Sequence, residues 1–234
     1  MSVKENLSHI KSTLPDYVTL VAVSKTKSVE TIMEAYNAGQ RIFGENKIQE
    51  MADKWEQMPK DIQWHMIGHV QTNKVKYMAP FVSLIHSVDS FKLLKEINKQ
   101  AKKNDRIIDC LLQVYIADED SKFGLDETEL EILLKPFLST SRNQDNDNTF
   151  KNIRVTGLMG MATFTDNDEQ IKKEFRYLKS IFDTYKKQFD HVQCKHVQLN
   201  TLSMGMSGDY KLAVKYGSTM VRIGSNIFGF RNYQ

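Results

Sequence analysis

The sequence predicts an α/β protein built as a single (β/α)₈ barrel of the TIM type, and three observations predict it. Eight short apolar runs alternate with amphipathic stretches from one end of the chain to the other. No Gly-Pro-rich linker interrupts that rhythm, so one domain over 1–234 is expected. No GxGxxG follows the first run, which disfavours the runner-up, an open doubly wound sheet. With 234 residues, 41% of them hydrophobic, the chain is long enough to bury a sizeable core.

The first run, "VTLVAVS" at 18–24, is nearly continuous and rich in valine, as expected of a strand covered on both faces. "SVETIMEAYNAG" at 28–39 reads as a helix with Val29, Ile32, Met33 and Tyr36 on one face. Ser28 can cap its start, and Gly39 can end it. Further strands are expected in "RIFG" (41–44), "IQWHMIG" (62–68), "VSLIHSV" (82–88), "DCLLQVYI" (109–116), "IRVTGLMG" (153–160), "HVQLNTLSMG" (196–205) and "TMVRIG" (219–224). Helical patterns fill 48–58, 71–78, 90–103, 127–138, 168–189 and 209–215. The longest aligns Ile171, Phe175, Leu178, Phe182, Tyr185 and Phe189 in a stripe that should face the core. The polar tract "STSRNQDNDNTF" (139–150) reads as an exposed surface insertion.

Composition excludes several functions. A formal net charge of +3, with no dense lysine-arginine block, gives no case for nucleic acid. The opening "MSVKENLSHIKS" lacks the apolar segment of a secretory signal, and no run approaches the roughly 20 apolar residues that span a membrane. Cys110 and Cys194 are isolated, and Cys110 in "IIDCLLQV" reads as a small core hydrophobe. A cytoplasmic protein is expected.

In such a barrel the active site lies at the carboxyl ends of the strands. Those ends carry Lys25, then Gly44-Glu45-Asn46, Gly68-His69, Ser87-Val88-Asp89, the "QVYIADEDSKFG" turn, Met159-Gly160-Met161, "SMGMSG" and Gly224-Ser225. Lys25 ends the most apolar strand. It is either a surface lysine on a loop or an amine in the barrel mouth, its charge disfavoured by burial and by Lys27. "MGMSGD" leads into a helix and "IGSN" ends the last strand, so Ser207, Gly224 and Ser225 can frame an anion; each cluster alone could be an ordinary tight turn. Arg222 within "MVRIG" needs a partner, either a structural carboxylate or a ligand atom above the mouth. His65 and His69 could share a strand face, but no third ligand is evident and no metal is expected. An amine, an anion cradle and an arginine at one mouth suit an aldehyde-bearing phosphate ester with a ring acceptor, and pyridoxal 5'-phosphate (PLP) meets all three requirements.

Six motifs in order, "VAVSKTK", "FGENKIQE", "WHMIGHVQTNK", "GLMGMAT", "LSMGMSGDY" and "GSTMVRIGSNIFG", closely resemble the YggS/PROSC family of PLP-binding proteins, the PLP homeostasis proteins. The resemblance runs from about 18 to 229 and implies the barrel of alanine racemase standing alone, the fold type III arrangement. It also implies that Lys25 forms the Schiff base and Asn46 lies near the cofactor ring. Ser207, Gly224 and Ser225 would hold the phosphate, and Arg222 would approach the pyridine nitrogen. The family is linked to the free vitamin B6 pool and to amino- and keto-acid balance, without an established reaction. Tyr115 stands where members often have asparagine, Asn226 replaces a small residue and Val70 a leucine.

The expectation is a PLP-holding protein of vitamin B6 homeostasis without efficient catalysis, with PLP-dependent apo-enzymes as recipients and a monomeric or weakly dimeric state. The alternatives are a PLP-dependent amino-acid racemase and a Schiff-base aldolase without PLP. Racemases of this type take their second base from an all-β domain. Here only "FRNYQ" follows Gly229, with Tyr233 the one tyrosine of that tail, so efficient racemisation is not expected.

Overall fold

The computed structural model describes residues 2–118, 123–138, 150–192 and 194–229. Eight parallel strands close into a barrel in sequence order: β1 (Thr19–Val23), β2 (Ile42–Glu45), β3 (Gln63–Met66), β4 (Leu84–Val88), β5 (Ile108–Gln113), β6 (Ile153–Met159), β7 (Val197–Ser203) and β8 (Met220–Ile223). Helices α1 (Val3–Ser12), α2 (Val29–Asn37), α3 (Ile48–Gln57), α4 (Val75–Met78), α5 (Phe91–Lys103), α6 (Glu127–Leu138), α7 (Asp168–Val192), α8 (Tyr210–Lys215) and α9 (Ser225–Phe228) complete the described residues. All eight expected strands are present, each within a few residues of its expected bounds. Among the described residues no helix is long and apolar enough to cross a membrane.

The period of two decides which side chains fill the barrel. Val21, Leu84, Leu111, Met159 and Met220 form an apolar layer inside it. Two residues further along the same phase, His86 follows Leu84, Gln113 follows Leu111 and Arg222 follows Met220, so the layer nearer the carboxyl end is polar. The opposite phase, with Ala22, Phe43, Trp64, Ile85 and Leu112, packs outward against the helices in the main core. Cys110 sits there fully buried, and burial pushes its thiol pKa up. The stripe of α7 is core-facing as expected, with Ile171, Phe175, Leu178, Phe182 and Phe189 buried and Tyr185 partly so. Ser28 caps α2, and Gly39 follows its end at φ 89°, a conformation that favours glycine.

Ladder strength varies around the barrel. β5 and β6 share six Cα pairs, whereas the described register of β7 with β8 is the single pair Ser203–Met220. Side chains reinforce that seam: Thr219 Oγ1 accepts from Leu202 N at 2.8 Å, and Ser218 Oγ donates to Met204 O at 2.7 Å.

The structure corrects the sequence reading in four places. The start of the chain forms α1, capped by a reciprocal Ser2–Glu5 box, with Leu7 and Ile10 buried. α9 follows β8 directly. The helix expected at 71–78 divides into a 3₁₀ turn at Thr72–Lys74 and the one-turn α4. Phe150 is not exposed: it is buried against Phe91 and Phe137, while the rest of the expected insertion, 139–149, lies outside the described residues.

Candidate functional site

A cavity of about 1080 Å³ opens at the carboxyl end of the barrel, and Lys25, Asn46, Ser207, Arg222, Gly224 and Ser225 all line it. Gly68, His69 and Met161 of the expected rim join them. Glu45, Ser87 and Asp89 do not: Glu45 points outward between sheet and helix, Ser87 Oγ donates to Gly68 O at 2.5 Å, and Asp89 faces His69.

Lys25 is fixed through its two neighbours. Ser24, at the end of β1, donates through Oγ to Glu45 Oε1 at 2.6 Å. Lys54 of α3 donates from one ammonium to Ser24 O (2.9 Å), Glu45 Oε1 (2.8 Å) and Glu50 Oε1 (2.7 Å). Glu50 also accepts from Thr26 N at 2.6 Å, and Thr26 sits at φ 66°, rare for a residue with a branched side chain. A hub of the buried Lys54 and Glu45 with the partly exposed Glu50 therefore grips the backbone on both sides of Lys25. Burial raises the Glu45 pKa against the pull of Lys54 and Ser24. For Glu50 burial works the same way, but the bonds from Lys54 and Thr26 outweigh it and lower the pKa. Lys27 also lines the cavity, but its ammonium donates to the carbonyls of Phe228 and Gly229 at 3.0 and 3.1 Å.

Asn46 follows β2 and crosses close to Gly68. A Cβ on Gly68 would lie 2.4 Å from Asn46 O, so glycine there is what admits the Asn46 backbone. Asn46 Oδ1 is buried and has no hydrogen-bond partner among the described residues, an acceptor that a bound molecule could match. The loops after β7 and β8 are joined into one cup, with Gly224 N donating to Ser207 Oγ at 3.2 Å and Asn226 Nδ2 to Ser207 O at 3.0 Å. In α9 the N–H groups of Ile227 and Phe228 both donate to Gly224 O at 2.9 Å. The helix expected at 209–215 contributes less than anticipated: α8 has six residues, and the Asp209 carboxylate before it already accepts from Met206 N at 2.5 Å.

Arg222 is buried, and the hydrogen bonds described for it go to Ser203 and Gly160. Nη1 donates to Ser203 O (3.0 Å) and Ser203 Oγ (2.6 Å), and Nη2 to Gly160 O (3.1 Å). Burial lowers its pKa to about 10, opposed by Asp209, so it stays cationic at neutral pH. The two histidines weighed as metal ligands part ways. His65 lies inside the barrel with Nδ1 3.0 Å from His86 Nε2, whereas His69 is half-exposed with Nδ1 3.2 Å from Asp89. The sequence reading missed His86, Ser203 and Lys54. The first two sit on the inward phase of strands, and Lys54 falls on the apolar 48-51-55-58 face of α3, where a lysine is out of place.

Fold and site together define the class: a (β/α)₈ barrel whose carboxyl-end cavity gathers Lys25 at the end of the first strand, the buried Arg222 and a glycine-serine cup. The family model of the alanine racemase N-terminal domain matches residues 1–232. A pyridoxal phosphate homeostasis protein of Aquifex aeolicus (strain VF5) is 38% identical over 215 residues, covering 92% of this chain and 87% of that one. PipY of Synechococcus elongatus PCC7942, solved without and with PLP bound, superposes with TM-scores of 0.86 and 0.83; it is 32% identical over 97% of this chain and 100% of PipY. Alanine racemase from Bartonella henselae, at TM-score 0.66 and 16% identity over 98% of this chain and 62% of its own, shares the fold. The chain belongs to the family of the alanine racemase N-terminal domain and, within it, to the pyridoxal phosphate homeostasis proteins.

Proposed function

We propose that this protein holds PLP on Lys25 and serves intracellular PLP homeostasis without efficient catalysis. The observation that carries this is convergence: Lys25, Asn46, Ser207, Arg222, Gly224 and Ser225, drawn from four motifs, line one cavity. The names of the relatives and the PLP bound to PipY support the same reading.

The residues present fit the group. Ser207 with the backbone of Gly224 and Ser225 offers a hydroxyl and amide donors for a phosphate, at the position where barrels of this kind commonly bind one. Arg222 can only donate, so it would meet the ring nitrogen as an acceptor. Asn46 would lie beside the ring with its unpaired amide oxygen. When bound, PLP supplies an aldehyde that condenses with an amine, releasing water, and a ring that draws electrons from the product. Lys25 supplies the amine. Lys27 is the poorer candidate, since its ammonium is held by two carbonyls at the end of α9.

The same reading makes residues 1–234 one barrel unit, acting in the cytoplasm as a monomer or weak dimer. PLP-dependent apo-enzymes would receive the cofactor. Borohydride reduction of the loaded protein followed by peptide mass mapping should mark Lys25. A mark on Lys27 or Lys47 would overturn the assignment, and a protein that takes up no PLP would overturn the function.

A further inference from the structure

Behind Arg222 a line of hydrogen bonds crosses the barrel interior through three strands. Arg222 Nη1 lies 2.6 Å from Ser203 Oγ, Ser203 Oγ lies 3.2 Å from His86 Nδ1, and His86 Nε2 lies 3.0 Å from His65 Nδ1. All four residues are buried.

The chemistry of the first member directs the rest. A guanidinium has five donors and no acceptor, so Ser203 Oγ must accept from Arg222. The Ser203 proton then needs an acceptor of its own, and His86 Nδ1 is within reach. His86 Nδ1 therefore carries no proton, and its Nε2–H donates to His65 Nδ1. His65 in turn keeps its proton on Nε2. The reverse order would turn His86 Nδ1–H toward Ser203 and leave the fully buried Ser203 proton with no acceptor among the described contacts. Burial also keeps both rings neutral: it holds the His65 pKa at about 3, and it lowers the His86 pKa with help from the charge of Arg222 and from His65.

We propose that His86, backed by His65, is a positioning residue for Arg222: the pair draws the Ser203 proton inward, and the Ser203 oxygen so oriented holds the guanidinium against the cavity. The inference rests on the reading of that cavity as a PLP site. Without His86 the Ser203 hydroxyl can rotate, and Arg222 loses one of its three fixed contacts.

Two measurements test it. In protein labelled with ¹⁵N-histidine and carrying no PLP, ring nitrogen shifts at pH 7 should show His86 and His65 both as Nε2–H tautomers. An Nδ1–H tautomer of His86 would overturn the chain, and this readout remains available if a His86 variant fails to fold. In the loaded protein, His86→Leu should weaken PLP binding about tenfold, the scale of one hydrogen bond to a charged donor, and shift the absorption of the bound cofactor. His86→Asn, whose Oδ1 can take the Ser203 proton, should restore the spectrum and bind within about threefold of the wild type. Unchanged affinity and spectrum in His86→Leu would overturn the proposal. If the wild type takes up no PLP, the proposed function fails, and the nitrogen shifts still decide the direction of the chain.

Discussion

Ser207 has two tasks, since its hydroxyl accepts from Gly224 N while its carbonyl accepts from Asn226 Nδ2. Ser207→Ala keeps the carbonyl bond but removes the hydroxyl. It should weaken PLP binding by about tenfold to a hundredfold, the loss expected for a hydrogen bond to a charged acceptor. Titration calorimetry would show this, and unchanged affinity would place the phosphate elsewhere. Arg222→Glu replaces an obligate donor by a carboxylate and should change both the spectrum of bound PLP and its pH response; an identical spectrum would sink the Arg222 contact. From position alone Lys25, just beyond the end of β1, read equally as a loop lysine, whereas the burial of Arg222 was legible because a cation inside an apolar strand run has few fates. His86 was not, because "LIHSV" announces a buried strand without naming its partners, and Ser203 lies 117 residues away. Asn46 lines the cavity, but that Gly68 must be glycine to admit its backbone was not legible, because it depends on a contact between two neighbouring loops.

At the level of elements, α3 is tied to the strand ends by its buried lysine. Lys54→Met should fit the apolar stripe but leaves Glu45 without its cation. Removing one member of a buried pair costs about 3 kcal/mol or more. Urea unfolding should show the loss, and the Lys25 loop should suffer too, since Thr26 at φ 66° then relies on Glu50 alone. A variant as stable as the wild type would show that Glu45 adapts, as its raised pKa would allow. The strands were legible because parallel strands covered on both faces read as unbroken apolar runs. α1 was not, because it buries only Leu7 and Ile10 and otherwise reads as a polar leader. α9, one turn long, is shorter than any periodicity can reveal.

Over the whole molecule, the neutral interior histidines make the fold sensitive to acid. Their folded pKa values lie below the ordinary 6.5, so as pH falls through that value the unfolded chain binds protons that the barrel refuses. Stability should drop between pH 7 and pH 5, by about 2 kcal/mol from His65, with His86 acting in the same direction. Glu45 opposes this, because its raised folded pKa lets the barrel take up a proton on acidification. Urea titrations at the two pH values measure the balance, and a barrel more stable at pH 5 than at pH 7 would contradict neutral histidines. The eight-strand closure itself was legible from the alternation of the chain, but which neighbours hold weakly was not, since ladder register follows from strand tilt and not from composition. That unevenness gives the barrel a zip with one loose end. The join between β7 and β8 has one register pair, backbone bonds from Thr219 N to Leu202 O (2.9 Å) and Arg222 N to Gly205 O (3.0 Å), and the Thr219 and Ser218 hydroxyls beside them; Ser203, Ser207, Arg222 and Gly224 flank it. A molecule seated in the cup would act as a clasp across that join. In deuterium exchange, amides of 197–205 and 219–224 should therefore open sooner than those of β5 and β6, and should slow more than any others once PLP is added.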